Sequence, residues 1–202
     1  MSKTMKENNE KGFTLIELLI AMVIAAIVMA SVYSVYYTQQ RSYMIQEEVA
    51  AMHQNLRAAM YFMEREIRMA GCDPTGNAGS GIVQNLSNQI SFTEDVRGKD
   101  TGDPPDGDTG DPDEEITYFL DDADGDGDLD LIRDTGGVEA NIEKVIAENI
   151  SSLTFTYLDS SGGAAATLSD IRLVQVTLVA ADNDGDKTET LQTRINCRNL
   201  GV

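Results

Sequence analysis

Polar and apolar residues are distributed unevenly along the chain, and the longest apolar run lies near the N-terminus. Residues 18–40 carry no charge, and the stretch Leu18–Tyr37 alone supplies 20 mostly apolar residues. A helix of that length is enough to cross the hydrocarbon core of a bilayer. Arg41 follows the run, and three basic residues precede it: Lys3, Lys6 and Lys11. Because basic residues favour the cytoplasmic side, we expect the chain beyond Arg41 to be exported.

After Arg41 the apolar positions take on helical spacing. They recur every three or four residues, at Ile45, Val49, Met52, Leu56, Met60, Met63 and Ile67. This spacing places them on one helical face and predicts a single helix from about Thr14 to Ala70, with Gly71 as its stop. The first half is apolar all round, and the second half would pack one stripe on a domain. We expect the methionines of this stripe in a core, and the lone His53 to be structural.

Beyond Gly71 the chain consists of short alternating runs broken by glycine, aspartate and proline. The predicted strands are Ile90–Thr93, Ile116–Leu120, Leu129–Arg133, Leu153–Leu158, Ile171–Ala180 and Thr190–Cys197. An antiparallel sheet with one apolar face would close over the helix stripe. The predicted fold class is therefore α+β, with one long N-terminal α-helix whose second half packs on an antiparallel β-sheet.

The net charge of the chain argues against some classes of function. The chain has 15 Lys and Arg residues against 34 Asp and Glu residues, a formal net charge of −19. Such a surface repels phosphate backbones and argues against nucleic-acid binding. The acidic residues are concentrated, because Glu94 to Asp134 contains 17 of them and three basic residues. This local excess of carboxylates favours the binding of cations.

The two cysteines, Cys72 and Cys197, are far apart and lack the spacing of a metal site. If the domain faces an oxidising compartment, they predict one long-range disulfide. Cys72 would follow the helix and Cys197 would lie on the inward face of the last strand, so the bond would tie the end of the chain to the helix. The chain-entropy model gives a loop of this length about 4–5 kcal/mol as an upper figure. The alternative is a pair of small buried thiols.

The residues at the start of the apolar run form a motif. The stretch KGFTLIELLIAMVIAAI, residues 11–27, resembles the N-terminal processing motif of type IV prepilins and pseudopilins. The resemblance implies that a prepilin peptidase cuts between Gly12 and Phe13 and methylates the new amino group of Phe13. Because Gly12 precedes the apolar run, cleavage there leaves the helix on the mature protein, unlike cleavage of an ordinary secretory signal.

With this resemblance the chain divides into four predicted parts. They are a prepilin leader peptide (1–12), a transmembrane or fibre-core half of the helix (13–40), an amphipathic half (41–71) and an exported β-rich globular domain (72–202). The resemblance implies a pilin-like fold and a single-pass inner-membrane precursor with a periplasmic domain. Such a precursor later joins a pilus at the cell surface.

Glu17 is the carboxylate that directly precedes the uncharged apolar run. A carboxylate near hydrocarbon costs up to a few kcal/mol and usually marks function or a partner. Cleavage would create a positive amine at Phe13, one helical turn away or on a neighbouring subunit, and pairing makes both charges tolerable in a fibre core. The resemblance implies that Glu17 registers an incoming subunit against the previous one. The alternative is a chance polar residue at the end of a membrane helix.

A second resemblance favours one subfamily. MEREIRMAGC, residues 63–72, is similar to the helix ending of PilW-type minor pilins, and ENISSLTFTYLD, IRLVQVTLVA and INCRNLG are similar to the C-terminal strands of that family. It implies a minor pilin that initiates or caps a type IV pilus, with other minor pilins and the major pilin as partners. J-type pseudopilins of type II secretion systems share the layout and stay an alternative. Many pilins close a C-terminal loop with their disulfide, so a Cys72–Cys197 bond departs from that pattern.

The sequence DDADGDGDLD, residues 121–130, predicts a calcium loop. Alternate aspartates at Asp122, Asp124 and Asp126 would project oxygens to one side of a tight turn that glycine permits. Asp128 would add its backbone carbonyl, and Asp130 would ligate directly or through water.

This loop departs from an EF-hand at its twelfth position, where Arg133 replaces the bidentate glutamate. Its flanks also predict strands and not helices. The prediction is therefore an EF-like calcium loop in a β-hairpin, completed by Asp121 or Asp134. The alternative is a solvated acidic turn.

Two further acidic segments are weaker candidates. ADNDGDKTE, residues 181–189, favours a polar hairpin turn, with calcium held by Asp182, Asp184 and Asp186 as the alternative. The stretch DTGDPPDGDTGDPDEE, residues 100–115, has no apolar period and predicts a mobile surface loop.

The sequence offers no arrangement that predicts an enzyme. His53 is the one histidine and lies on the helix, and no phosphate-binding glycine loop or Cys/His metal set occurs. We therefore expect a structural protein. A calcium-dependent adhesive tip subunit is a third hypothesis, from a different functional class.

Overall fold

The computed structural model describes residues 12–100, 102–136, 143–182 and 187–201. Within these ranges the chain forms one α-helix, α1 (Leu15–Ile67), and eight strands. The strands are β1 (Ile82–Asn85), β2 (Ile90–Thr93), β3 (Glu115–Asp121), β4 (Asp130–Gly136), β5 (Lys144–Ala147), β6 (Ile150–Leu158), β7 (Leu173–Ala181) and β8 (Thr188–Asn196). A short 3-10 turn, Leu168–Asp170, precedes β7. The predicted α+β class is confirmed.

The strands of the described residues form two antiparallel sheets and not the single sheet that the sequence predicts. The first has the order β1-β2-β3-β4-β5 and the second the order β6-β7-β8. Each is a meander, because every strand pairs with its neighbour in sequence. A side-chain pattern predicts a strand, but the partners of that strand depend on contacts that are distant in sequence.

The end of α1 is fixed by a glycine turn. The helix stops at Ile67, and the turn that follows reaches Gly71 at a φ of +79°. A side chain there would place its Cβ 2.6 Å from Leu200 Cδ2, so both the backbone conformation and the space favour glycine. The Gly71 N–H donates to the Thr93 carbonyl at 3.0 Å, which joins the turn to the end of β2. The sequence predicts that Gly71 stops the helix, and in the structure Gly71 makes the turn that follows the helix end at Ile67.

The second half of α1 lies in the hydrophobic core together with residues of both sheets. Its buried residues are Met52, Leu56, Ala59, Met60, Met63 and Ile67. Of the predicted stripe, Val49 packs partly buried against this core, whereas Ile45 is exposed. Fully burying such a side chain stabilises the fold by about 1.5–3 kcal/mol.

The two sheets meet at the turn between β1 and β2. The Phe155 N–H donates to the Ser87 carbonyl at 2.8 Å, and the Tyr157 hydroxyl lies 2.9 Å from the Leu86 carbonyl and 3.1 Å from the Gln89 carbonyl. These contacts connect β6 to the first sheet and satisfy the buried tyrosine hydroxyl.

The chain divides into two compact units, one ending at Glu47 and the other beginning at Glu48. The described part of the first unit lies in α1 and the residues just before it. The second holds the rest of the helix and both sheets.

Candidate functional site

The start of α1 is built around Thr14 and Glu17. The Thr14 N–H and hydroxyl both donate to Glu17 Oε2, at 2.9 and 2.8 Å, and the Glu17 N–H donates to Thr14 Oγ1 at 3.3 Å. This reciprocal arrangement is a capping box, which satisfies backbone donors that the first turn of a helix leaves unpaired. Thr14-Leu15-Ile16-Glu17 is the S/T-x-x-E pattern, so the sequence alone could have predicted this role of Glu17.

Glu17 therefore stabilises its own helix as well as offering a carboxylate at the helix N-terminus. A negative charge there interacts favourably with the helix dipole. The residue is exposed, so a neighbouring chain can reach it. The predicted registry role of Glu17 stays a prediction.

The predicted cleavage site lies immediately before this cap. Gly12 and Phe13 are exposed and precede the helix, and Phe13 is 91% exposed. Lys11 and the rest of the predicted leader lie outside the described residues. An accessible backbone in no regular element is the form in which a protease can bind its substrate.

The first unit presents an apolar surface. Every residue from Gly12 to Glu47 is exposed, and most of the first half is large and apolar. α1 is the one helix among the described residues that is long and apolar enough to cross a membrane, by length and composition. Since this surface has no partner within the described chain, it is suited to lipid or to other subunits.

Three hydroxyl side chains between Ser31 and Ser42 donate to carbonyls of the helix itself. Ser31 Oγ donates to the Ile27 carbonyl at 3.0 Å, Thr38 Oγ1 to the Ser34 carbonyl at 3.0 Å, and Ser42 Oγ to the Thr38 carbonyl at 3.1 Å. In hydrocarbon or in a fibre core an unpaired donor is costly, and these bonds remove that cost.

Tyrosines mark the end of the apolar run. Tyr33, Tyr36 and Tyr37 are exposed and line one groove with Arg41. Tyrosine and arginine are typical of the membrane–water boundary, where an apolar ring and a polar tip are both accommodated. This signal was present in the sequence and supports a membrane boundary close to Arg41.

The predicted calcium loop connects β3 and β4 and is a hairpin, as its flanks predict. One carboxylate oxygen from each of Asp122, Asp124 and Asp126 lies within 4.8 Å of the others, and all three residues are exposed. Asp122 shapes the turn, because its Oδ1 accepts from the Gly125 N–H at 2.8 Å and its Oδ2 from the Gly127 N–H at 3.2 Å.

The carboxylates of the other two residues of the predicted loop, Asp128 and Asp130, are not part of that cluster, although Asp128 is predicted to ligate through its backbone carbonyl. The Asp128 N–H donates to Asp126 Oδ1 at 2.9 Å. Asp130 is buried at the start of β4, and its burial and the charge of Asp124 raise the pKa of its carboxyl. The loop thus brings the predicted carboxylates of Asp122, Asp124 and Asp126 together, and calcium binding there stays a prediction.

The second acidic turn is described only in part, because Asp184 and Asp186 lie outside the described residues. Asp182 is buried, and its Oδ1 accepts from the Lys187 N–H at 3.0 Å while its Oδ2 lies 3.4 Å from Lys187 Nζ. Asp182 and Asp128 line one cleft of about 210 Å³, so the ends of the two acidic turns lie close together.

Both cysteines are free thiols in the structure. Cys197 is buried in the core just after β8, and burial raises its pKa to about 11. Cys72 is half-buried, and its pKa is raised by burial and by the charges of Glu94 and Asp95. The two thiols are not joined in the structure, and the disulfide between them stays a prediction.

A largely buried polar cluster around the fully buried Tyr118 joins the end of α1 to the first sheet. Glu66 Oε2 accepts from the Tyr118 hydroxyl at 2.5 Å, and Arg133 Nε donates to both Glu66 oxygens at 2.9 and 3.1 Å. Glu94 lies nearby, and burial together with the Glu66 charge raises its pKa to about 7. The helical spacing of Glu66 did not indicate this partner, since Arg133 is distant in sequence.

Two exposed side-chain contacts connect α1 to β8 and to the residue just before it. His53 Nε2 lies 3.4 Å from Glu189 Oε1, and Lys187 Nζ lies 3.8 Å from Glu48 Oε2. All four side chains are at least a third exposed, so each pair adds little stability.

Comparison with protein families gives one match. Residues 8–33 match the family described as "Prokaryotic N-terminal methylation motif". No curated protein matches the chain. The matched segment contains the predicted cleavage site, Glu17 and the first part of α1. It gives the chain a type IV pilin-like N-terminus and supports a protein of the type IV pilin family.

Proposed function

We propose that this chain is a PilW-like minor pilin that initiates or caps a type IV pilus. The observation that carries the proposal is the methylation motif at residues 8–33, which lies at the start of a helix with an apolar exposed surface. A motif of this kind implies processing by a prepilin peptidase and assembly with other pilins. It indicates a structural protein and not an enzyme.

The arrangement of the helix supports such a role. Residues 12–47 have no buried position, whereas six helix residues between Met52 and Ile67 are buried in a core that they share with both sheets. A subunit built in this way can anchor in the inner membrane by its first half, with the sheets in the periplasm. The same apolar surface can then pack against other helices when the subunit enters a fibre.

The segment similar to PilW-type helix endings has a structural role that supports this assignment. In MEREIRMAGC, Glu66 pairs with Arg133 and Tyr118, Arg68 pairs with Glu64, and Gly71 makes the turn. The segment therefore fixes the helix end to the first sheet. A pseudopilin of a type II secretion system would use the same N-terminus, and it is the alternative outcome of the test.

Peptide mass spectrometry of sheared surface fibres and of the remaining envelope tests the proposal. We expect the chain in the fibres at low abundance relative to the major pilin. Recovery of the processed chain in the envelope alone would contradict the minor-pilin role and favour the secretion pseudopilin. The major pilin, which must appear in the sheared fraction, is the control for the shearing.

A further inference from the structure

The acidic segment between β2 and β3 contains a second carboxylate cluster, which the sequence did not indicate as a site. One oxygen from each of Asp106, Asp108 and Asp111 lies within 4.8 Å of the others. Asp106 and Asp108 are exposed, whereas Asp111 is only 8% exposed. The segment that the sequence predicts to be a mobile surface loop thus has a buried side chain in its middle.

Asp111 is the unusual member of this cluster. Its Oδ2 atom is buried, and no group within the described residues donates a hydrogen bond to it. Burying a carboxylate oxygen without a donor is costly, and buried charges in proteins are normally paired or coordinate a metal. An oxygen of the same carboxylate lies against those of two other aspartates, which adds repulsion to the cost of burial.

The basic residues nearby do not satisfy this carboxylate. The charges of Arg97 and Lys99 reach Asp111 and oppose the repulsion from Asp106 and Asp108. Neither side chain donates to Asp111 Oδ2, and Arg97 Nη1 lies 3.4 Å from Asp113 Oδ2. A positive group placed between the three aspartates would offset their mutual repulsion and pair with the buried oxygen of Asp111.

Two bonds within the loop involve the cluster, because Asp106 Oδ1 accepts from the Asp108 N–H at 3.2 Å and Asp108 Oδ1 from the Gly110 N–H at 2.8 Å. Contacts outside the cluster also hold the loop. The buried Glu114 accepts from the Val96 and Arg97 N–H groups at 2.9 and 3.1 Å. At Gly107 an added Cβ would lie 3.3 Å from Thr75 Oγ1, so the loop passes close to the segment after α1. The carboxylates are therefore brought together by the fold of the loop.

We propose that Asp106, Asp108 and Asp111 bind a hard divalent cation of the calcium class. Calcium takes six to eight oxygen ligands at about 2.3–2.6 Å, so two oxygens on one ion lie at most about 5 Å apart. The three carboxylates satisfy this limit and supply three negative charges, and water or backbone carbonyls complete the shell. This site differs from the Asp122–Asp126 loop, whose three carboxylates are all exposed.

Calcium binding by the full chain in detergent micelles tests the inference, after treatment with chelator and titration with calcium chloride. The titration uses a background in which Asp122, Asp124 and Asp126 are changed to Asn, so that the hairpin loop is silent. We expect this protein to bind calcium, and Asp111→Asn to weaken the binding at least about tenfold. Asp103→Asn changes an exposed aspartate of the same loop outside the cluster, and it should bind calcium as the background does.

Thermal unfolding supplies a second measurement that separates binding from folding. Without calcium, Asp111→Asn should be at least as stable as the background, because it removes a buried unpaired charge. Calcium should raise the Tm of the background and of Asp103→Asn, but not that of Asp111→Asn. The exposed Asp106→Asn should also lose the calcium response. Absence of calcium binding in the background at millimolar calcium would overturn the inference, as would unchanged binding in Asp111→Asn.

Discussion

Glu17 combines two physical roles at one position. Within the chain it completes the capping box with Thr14, which any helix could use at its start. Between chains it offers a negative charge for the amine that cleavage at Phe13 would create. A neutral residue can perform the first role, but the second requires the charge.

Replacing Glu17 separates these roles. Glu17→Gln keeps hydrogen-bond acceptors for Thr14, whereas Glu17→Ala removes both the charge and the cap. We expect both variants to be cleaved and inserted, and both to enter fibres at least about tenfold less, a difference of about 1.4 kcal/mol. Quantitative mass spectrometry of sheared fibres measures the incorporation. Normal assembly of Glu17→Gln would show that capping, and not charge pairing, is what assembly requires.

Glu94 is a partly buried titratable group whose charge is disfavoured by its surroundings. Its Oε2 has no donor within the described residues, and burial and the Glu66 charge raise its pKa from 4.5 to about 7. The folded state therefore holds a proton that the unfolded state releases. The stability that Glu94 contributes is fully present below about pH 4.5 and is lost as the pH rises through 7.

Glu94→Gln should remove this pH dependence. We expect the variant to match the wild type near pH 4.5 and to be more stable at pH 8, by about 1–2 kcal/mol after allowance for partial solvent exposure. Urea unfolding of both proteins at the two pH values measures the difference. Glu148→Gln, at an exposed glutamate, is the control for loss of charge. An equal gap at pH 4.5 and pH 8 would contradict the role assigned to Glu94.

Among the secondary-structure elements, the sequence predicts those whose apolar residues recur with a regular local spacing. The helix stripe and six strands follow from spacing, and β2 has the predicted bounds. β1 and β5 escaped prediction because their sequences, IVQN and KVIA, do not alternate apolar and polar residues, whereas the equally short β2, ISFT, does. The division into two sheets also escaped, because strand partners are set by contacts distant in sequence.

The candidate sites also could be predicted only where their residues are contiguous in sequence. The motif around Glu17 is contiguous, so its residues could be named from the sequence, including a capping box that the T-x-x-E spacing already indicates. The burial of Asp111 could not be predicted, because residues 100–115 contain no apolar period. Their conformation depends on bonds from Val96 and Arg97 to Glu114, which only the fold brings together.

The packing of the second half of α1 can be tested at Leu56, which is 1% exposed. Leu56→Ala should destabilise the protein by about 2–5 kcal/mol, because it removes buried methyl groups and leaves a cavity. Tyr61→Ala truncates an exposed side chain of the same helix and should change stability by no more than about 0.5 kcal/mol. Urea unfolding of the full chain in detergent measures both. Equal effects of the two substitutions would contradict the assignment of the stripe to the core.

At the scale of the whole molecule, apolar surface and negative charge are segregated along the sequence. The exposed apolar residues are concentrated in the first half of α1, and half of the 34 acidic residues lie between Glu94 and Asp134. The apolar half is suited to a membrane or to other helices. The acidic segment keeps the second unit soluble and, in our proposal, binds a cation.

If the chain is a pilin-like precursor, a prepilin peptidase should process it at the methylation motif. Tandem mass spectrometry of the N-terminal peptide, from producing cells with and without their prepilin peptidase, detects this processing. We predict a mature chain that begins at N-methylated Phe13 in the first cells and a chain that keeps Lys11 and Gly12 in the second. A chain that keeps Lys11 and Gly12 in both would contradict this prediction.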